Sequence, residues 1–189
     1  MSRRRFRVIG ASALIAMAVA VGGYNGNGAA FAAPSPASPS PSGSTHGSAM
    51  FAAMMVSHHE EGIELAQLAM DKASTPGVKA VAERSQRNQQ AELPQLRQVA
   101  QGANMTAQPP EPPLSRFNEQ EMSQLQSLSG REFDLGWLDM FSSHHMSAIM
   151  MADMESATGA GTAAELAKKI HDEQVQDVSA MNDLRDQLR

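Results

Sequence analysis

The chain contains one pattern twice. Met54-Met55-Val56-Ser57-His58-His59 lies over Met140-Phe141-Ser142-Ser143-His144-His145 at an offset of 86 residues. At that offset Phe51 falls on Trp137, Ile63 on Ile149, Leu65 on Met151 and Ala66 on Ala152. With one residue lost in a loop, Ala82, Gln89, Glu92, Leu93 and Leu96 fall on Ala167, Gln174, Asp177, Val178 and Met181. A repeated unit of this kind cannot bury its apolar face alone, so the two copies must pack on each other.

Each copy reads as two helices, because apolar residues recur at three- and four-residue steps (Phe51, Met54, Met55, His58, Gly62, Leu65, Ala69) and strand alternation is absent. With 6 Phe, 1 Trp and 1 Tyr in 189 residues, a sandwich or barrel would lack its usual aromatic filling. The pattern predicts helices over about 49–73, 76–101, 131–157 and 162–188. Thr75 and Pro76 form a stop and restart, with Thr75 as N-cap and Pro76 at the first helical position, and Gly159 to Thr162 do the same in the second half. Pro94 should kink the second helix or end it early. A stiff crossover, Gly102 to Pro113, and a short helix, Asn118 to Leu128, closed by Gly130, join the halves. The expected fold is all-α: a ferritin-like four-helix bundle made of two repeated helical hairpins joined by a Pro-rich crossover.

The N-terminus reads as an export signal over residues 1–32. Ser2-Arg3-Arg4-Arg5-Phe6 resembles the twin-arginine signal and precedes an apolar run, Val8 to Gly22, and a small-residue stretch ending Ala30-Phe31-Ala32. A general secretory signal fits the same features. The run is short and interrupted by glycines, which disfavours a stable membrane anchor after cleavage. Residues 33–48 are Pro/Ser/Gly-rich and read as a tether, with the folded domain over 49–189 and its copies over about 49–101 and 131–188. The expected location is extracytoplasmic. Four of the 15 basic residues lie in the signal, whereas all 20 acidic residues follow position 59, so the remaining chain would be repelled by nucleic acid. The absence of cysteine removes disulfides, thiolate metal sites and cysteine nucleophiles.

The chemistry rests on the two His-His pairs. At about 100° per residue, His58 shares the stripe of Phe51, Met54, Gly62 and Leu65, and His144 that of Trp137, Met140, Ala148 and Met151, while His59 and His145 lie on the flank. Two inward histidines from equivalent helices should meet at the centre of the bundle, where such folds build metal sites. Met54, Met55 and Met140 each precede a histidine by four residues, on one helix face, and Met150, Met151 and Met154 follow His145. Thioether sulfur is soft and uncharged, which suits Cu(I) and disfavours Mg, Ca, Mn or Zn. The Glu-x-x-His signature of di-iron bundles is missing. Methionines at helical spacing are ordinarily core filler, and Met17, Met70, Met105, Met122 and Met181 are read so. Histidine is a costly filler for an apolar face, so the repeated pairs point to ligation. His46 and His171 are read as solvent-facing.

Phe51-x-x-Met54-x-x-x-His58-His59-x-x-x-Ile63-x-x-Ala66 and Phe133-Asp134-x-x-Trp137-Leu138-x-Met140-x-x-x-His144-His145-x-x-x-Ile149-x-Met151-Ala152 resemble the secreted bacterial family called domain of unknown function 305. The resemblance covers about residues 49–188 and includes the Gln89-x-x-Glu92 and Gln174-x-x-Asp177 steps. It implies a ferritin-like bundle, and some members are associated with periplasmic copper binding. The first copy lacks the step seen at Phe133-Asp134, so a ligand role for Asp134 would be one-sided. The candidate metal set is His58, His59, His144, His145, Met54, Met140, Met55, Met151 and Asp134, with copper as the ion.

Motifs for nucleophilic or phosphate chemistry are absent: no Gly-x-Ser-x-Gly, no phosphate loop and no His-Glu-x-x-His. The expectation is a binding protein for Cu(I) and not an enzyme. One alternative is an iron-dependent oxidoreductase using Glu60, Glu61, Glu64, Asp153 and Glu155. Another is a metal-free module that presents its acidic surface to an envelope protein. A homo-oligomer is compatible with either.

Overall fold

The computed structural model describes residues 41–102 and 119–189. The export signal, the start of the tether and most of the crossover lie outside the described residues, as do Met17 and Met105. Five helices follow in order: α1 (Pro41–Lys72), α2 (Pro76–Gln101), α3 (Glu119–Ser127), α4 (Gly130–Thr158) and α5 (Gly161–Leu188). There is no strand among the described residues, and no helix there is long and apolar enough to cross a membrane.

Three local readings are corrected. Helix α1 starts at Pro41, inside the segment read as tether, because proline is tolerated in a first turn and the tether's last residue makes tertiary contact. Ser48 is buried and its Oγ donates to Glu155 Oε1 of α4 at 2.5 Å. Helix α2 has the expected span, Pro76–Gln101, and Pro94 does not end it early. Pro94 and Gln90, whose carbonyl loses its helical partner, are both exposed, so water can take the bond. Gly130 is the first residue of α4 instead of the close of α3; it and Gly161, the first residue of α5, have φ near +60°, a left-handed entry that glycine adopts without strain.

Helix α1 packs on α2 and α4, and α5 packs on α4 and α2, so each hairpin lies against the other. Contacts fix the direction. Ser48 meets Glu155, His58 meets His144 and Leu65 meets Trp137, so α1 and α4 run antiparallel. Arg84 meets Asp177 and Glu92 meets Lys169, so α2 and α5 do also. The interior is not one continuous apolar core. One cluster gathers Leu65, Phe133, Trp137, Leu138, Phe141 and Met181, and the other gathers Phe51, Met55, Leu96, Met151, Leu166 and Ile170. Burial of each such side chain contributes about 1.5–3 kcal/mol. Between the clusters lies a buried polar layer: His58, His59, His144, His145, Ser85, Gln89, Glu92, Ser147, Gln174 and Asp177.

Candidate functional site

The two inward histidines meet as the repeat requires. The rings of His58 and His144 stack with centroids 3.7 Å apart. His58 Nε2 lies 3.0 Å from the main-chain oxygen of His144, and His144 Nε2 lies 3.0 Å from that of His58. A carbonyl oxygen only accepts, so both Nε2 atoms carry hydrogen and Nδ1 holds the lone pair in each neutral ring. Ser147 Oγ, 2.6 Å from His58 Nε2, shares that N–H and gives its own hydrogen to the His144 carbonyl. Gly62 permits this closeness: a Cβ there would come within 2.2 Å of Gln89 Oε1 and 2.7 Å of His144 Cε1. Burial lowers the His58 pKa to about 3, helped by the neighbouring histidines, and holds His144 well below the usual imidazole range. Both rings are therefore neutral at physiological pH, and any loss of ligand competence by protonation falls well below the ordinary value near ~6.5.

The flank histidines are as buried as the central ones. His59 Nε2 donates to Glu92 Oε2 at 2.8 Å, and Lys169 Nζ donates to Glu92 Oε1 at 2.7 Å. His145 Nε2 lies 3.3 Å from Asp177 Oδ2, and Arg84 Nε donates to Asp177 Oδ1 at 2.8 Å. Glu92 and Asp177 are equivalent in the repeat, and so are Arg84 and Lys169. Each carboxylate thus serves a histidine of its own hairpin and a cation of the other. Burial pushes both carboxyl pKa values up, but the bonds to histidine and to the cation outweigh it and hold them below the usual range. The cations were not singled out from sequence, although the same offset that pairs Glu92 with Asp177 pairs them.

The copies differ in the use of the ring nitrogens. His145 Nδ1 donates to Phe141 O at 2.9 Å, and its Nε2 also faces Ser85 Oγ at 3.1 Å, so both nitrogens are engaged. The counterpart of His145, His59, has its Nδ1 buried without a hydrogen-bond partner, and so does His58 beside it. Aspartate is one methylene shorter than glutamate, and Ser85 stands where the other copy has Ile170; these two differences account for the changed setting of His145.

The remaining candidates separate. Met55 is fully buried in the second apolar cluster, where Met54 is half-buried and Met151 nearly buried, whereas Met140 packs on the first cluster. Among the described residues no three His, Asp or Glu side chains are grouped to hold a metal ion. Asp134 lies apart from the histidine layer: its carboxylate accepts from Ser74 N, Ser74 Oγ and Thr75 N at 2.6–3.0 Å and so ties α4 to the turn before α2. Burial raises its pKa, and these bonds prevail and lower it. Thr75 has the extended backbone of an N-cap but makes no side-chain cap bond; Asp134 supplies the anion at that helix start. Among the carboxylates of the iron alternative, Glu60 pairs with Arg97, Asp153 faces His171 and Glu155 holds Ser48, all away from the histidine layer. His46 is exposed, while His171 is one-third exposed between Asp153 and Asp172.

Residues 48–185 match the model of the family described as a domain of unknown function, DUF305. Similar solved structures include a DUF305 protein of Streptomyces coelicolor inferred to be secreted, with 20% identity, TM-score 0.67, and coverage of 75% of this chain and 92% of that one. A DUF305 fragment of Deinococcus radiodurans shares 19% identity at TM-score 0.66, covering 81% of this chain and 99% of the fragment. CopM in its Cu(I)-bound form shares 23% identity at TM-score 0.62, covering 74% of this chain and 96% of CopM. No functionally curated protein matches the chain. These likenesses show the fold, and the family match spans most of the sequence: the chain belongs to the DUF305 family.

Proposed function

We propose that this chain is a copper-binding protein, built as a ferritin-like four-helix bundle, that sequesters or carries Cu(I) outside the cytoplasmic membrane and catalyses no reaction. The carrying observation is the pair of orphaned ring nitrogens on α1. A buried acceptor without a partner costs about 1–3 kcal/mol, and here His58 Nδ1 and His59 Nδ1 lie on adjacent residues. Such a pair calls for an explanation, and a bound cation supplies one. The donor chemistry fits. The His58 ring is neutral, its lone pair needs no deprotonation, and the Glu92 carboxylate on His59 Nε2 fixes the tautomer in the way that outer-shell carboxylates orient metal-binding histidines. Met55, one turn before His59, adds soft sulfur that favours Cu(I) over Zn(II). CopM, of the same fold, is solved with Cu(I) and Cu(II) bound, which supports the choice of ion. Export rests on residues 1–32.

The test is competition with a Cu(I) chelator under reducing conditions for the wild type, His58→Ala plus His59→Ala, His58→Ala plus His144→Ala, and Met70→Ala as a core control. Loss of affinity in the histidine variants alone is the expected result. Folded histidine variants with wild-type affinity would overturn the assignment, and iron uptake with oxidase activity would support the oxidoreductase.

A further inference from the structure

The repeat contains an asymmetry that the histidine layer does not use. A groove of about 210 Å³ between α1 and α4 is lined by Met50, Phe51, Met54, Met151, Met154 and Glu155, among others. Four thioethers face this one space, two from each helix, at the four- and three-residue steps that place side chains on a single face. Their exposure runs from nearly buried Met151 to Met154 at 71%. Met146 and Met150 extend the Met154 row outward along α4, and these three are the only exposed large apolar side chains of the described residues besides Val175.

The equivalent groove at the other end shows what packing alone would require. By the same offset, Met50 corresponds to Gly136, Met54 to Met140, Met151 to Leu65 and Met154 to Leu68. That end keeps a single thioether of the four, Met140, and is covered. Leu125 and Leu128 pack there, their Cδ1 atoms 3.4 and 3.2 Å from a Cβ built at Gly136, and Lys72 bonds the main chain at Gln126. At one end two of the four positions are leucine, one is Met140 and a helix seals the groove, whereas the other end is open and lined by four thioethers. Leucine would serve as apolar filler equally well, so the methionines are not accounted for by packing.

We propose that this groove is a sulfur-only site for a soft monovalent cation, Cu(I), held by the thioethers of Met50, Met54, Met151 and Met154 and separate from the histidine layer. The inference rests on the copper reading only for the choice of ion. The wall holds no basic side chain, and Glu155, the carboxylate in it, is held by Ser48. Thioethers do not titrate and bind hard ions poorly, so the groove selects for a soft ion. Access from solvent through Met154 makes it the place where an ion can enter without opening the core.

The test uses the full chain, loaded anaerobically with Cu(I), as wild type and as Met50→Leu plus Met54→Leu plus Met154→Leu. Leucine keeps volume and apolarity, so the fold should hold, and circular dichroism checks this. Copper stoichiometry against a Cu(I) chelator and X-ray absorption at the copper edge are the readouts. The triple variant should lose one Cu(I) equivalent together with the sulfur-only scattering shell. Retention of both by the triple variant, or a wild-type shell of nitrogen alone, overturns the groove site while the copper reading stands. If the wild type takes up no Cu(I), both fall.

Discussion

His58 and His144 each donate a ring N–H to the other's main-chain carbonyl at 3.0 Å, a reciprocal bond that closes the centre of the molecule. Removing either ring leaves a cavity and takes one donor from a buried carbonyl. His58→Leu and His144→Leu should each cost about 2–3 kcal/mol, and the double variant should cost clearly less than their sum, because the second change removes groups already unpaired. Urea unfolding of the four proteins measures the coupling; strict additivity would contradict it.

Acid should weaken the fold in two stages. His58 and His144 have folded pKa values depressed below the ordinary ~6.5, so the unfolded chain binds protons first and the stability these rings contribute declines as pH falls from about 6.5 toward about 3. Glu92, Asp134 and Asp177 are also depressed, from ordinary carboxylate values, so their contribution is full above about 4.5 and declines only below it. Urea midpoints should therefore begin to fall before the carboxylates titrate. A flat midpoint between about pH 7.5 and about pH 5 would show that the rings are not buried neutral.

Asp134→Ala should destabilise the fold by about 1–3 kcal/mol, since it frees two main-chain N–H groups and the Ser74 hydroxyl. Copper stoichiometry should be unchanged. A loss of copper at intact stability would return Asp134 to the ligand set.

The hairpins should not stand alone. A fragment ending at Gly102 lacks Lys169 for Glu92 and Trp137 for the Leu65 carbonyl, and it exposes its half of both clusters. It should be unfolded or self-associated, and mixing with residues 119–189 should restore helicity by circular dichroism. A folded monomeric 41–102 fragment would refute this.

The repeat made much of this legible. It placed the helix pairs, the meeting of His58 with His144 and the correspondence of Glu92 with Asp177, because two copies that pack through the same face bring residues near their common axis together. Boundaries were less legible where tertiary contact decides them: Ser48 extends α1 by reaching Glu155, and the exposure of Pro94 lets α2 continue. The burial of His59 and His145 was hidden because the periodicity of one helix shows its main stripe, not a second neighbour against its flank. The roles of Arg84, Lys169 and Asp134 depend on partners 59 to 93 residues away, a distance no local pattern spans.

The crossing of the two cations has a consequence for symmetry. Arg84 reaches the second hairpin in the way Lys169 reaches the first, and His58 touches its own counterpart. These are the contacts of a two-fold symmetric dimer, in which residue i meets j and j meets i, and a residue on the axis meets itself. The chain thus has, within one polypeptide, the interface geometry of a two-fold homodimer. The differences between its halves, Ser85 against Ile170 and Met154 against Leu68, are ones that only fusion allows, because a homodimer cannot change one side alone.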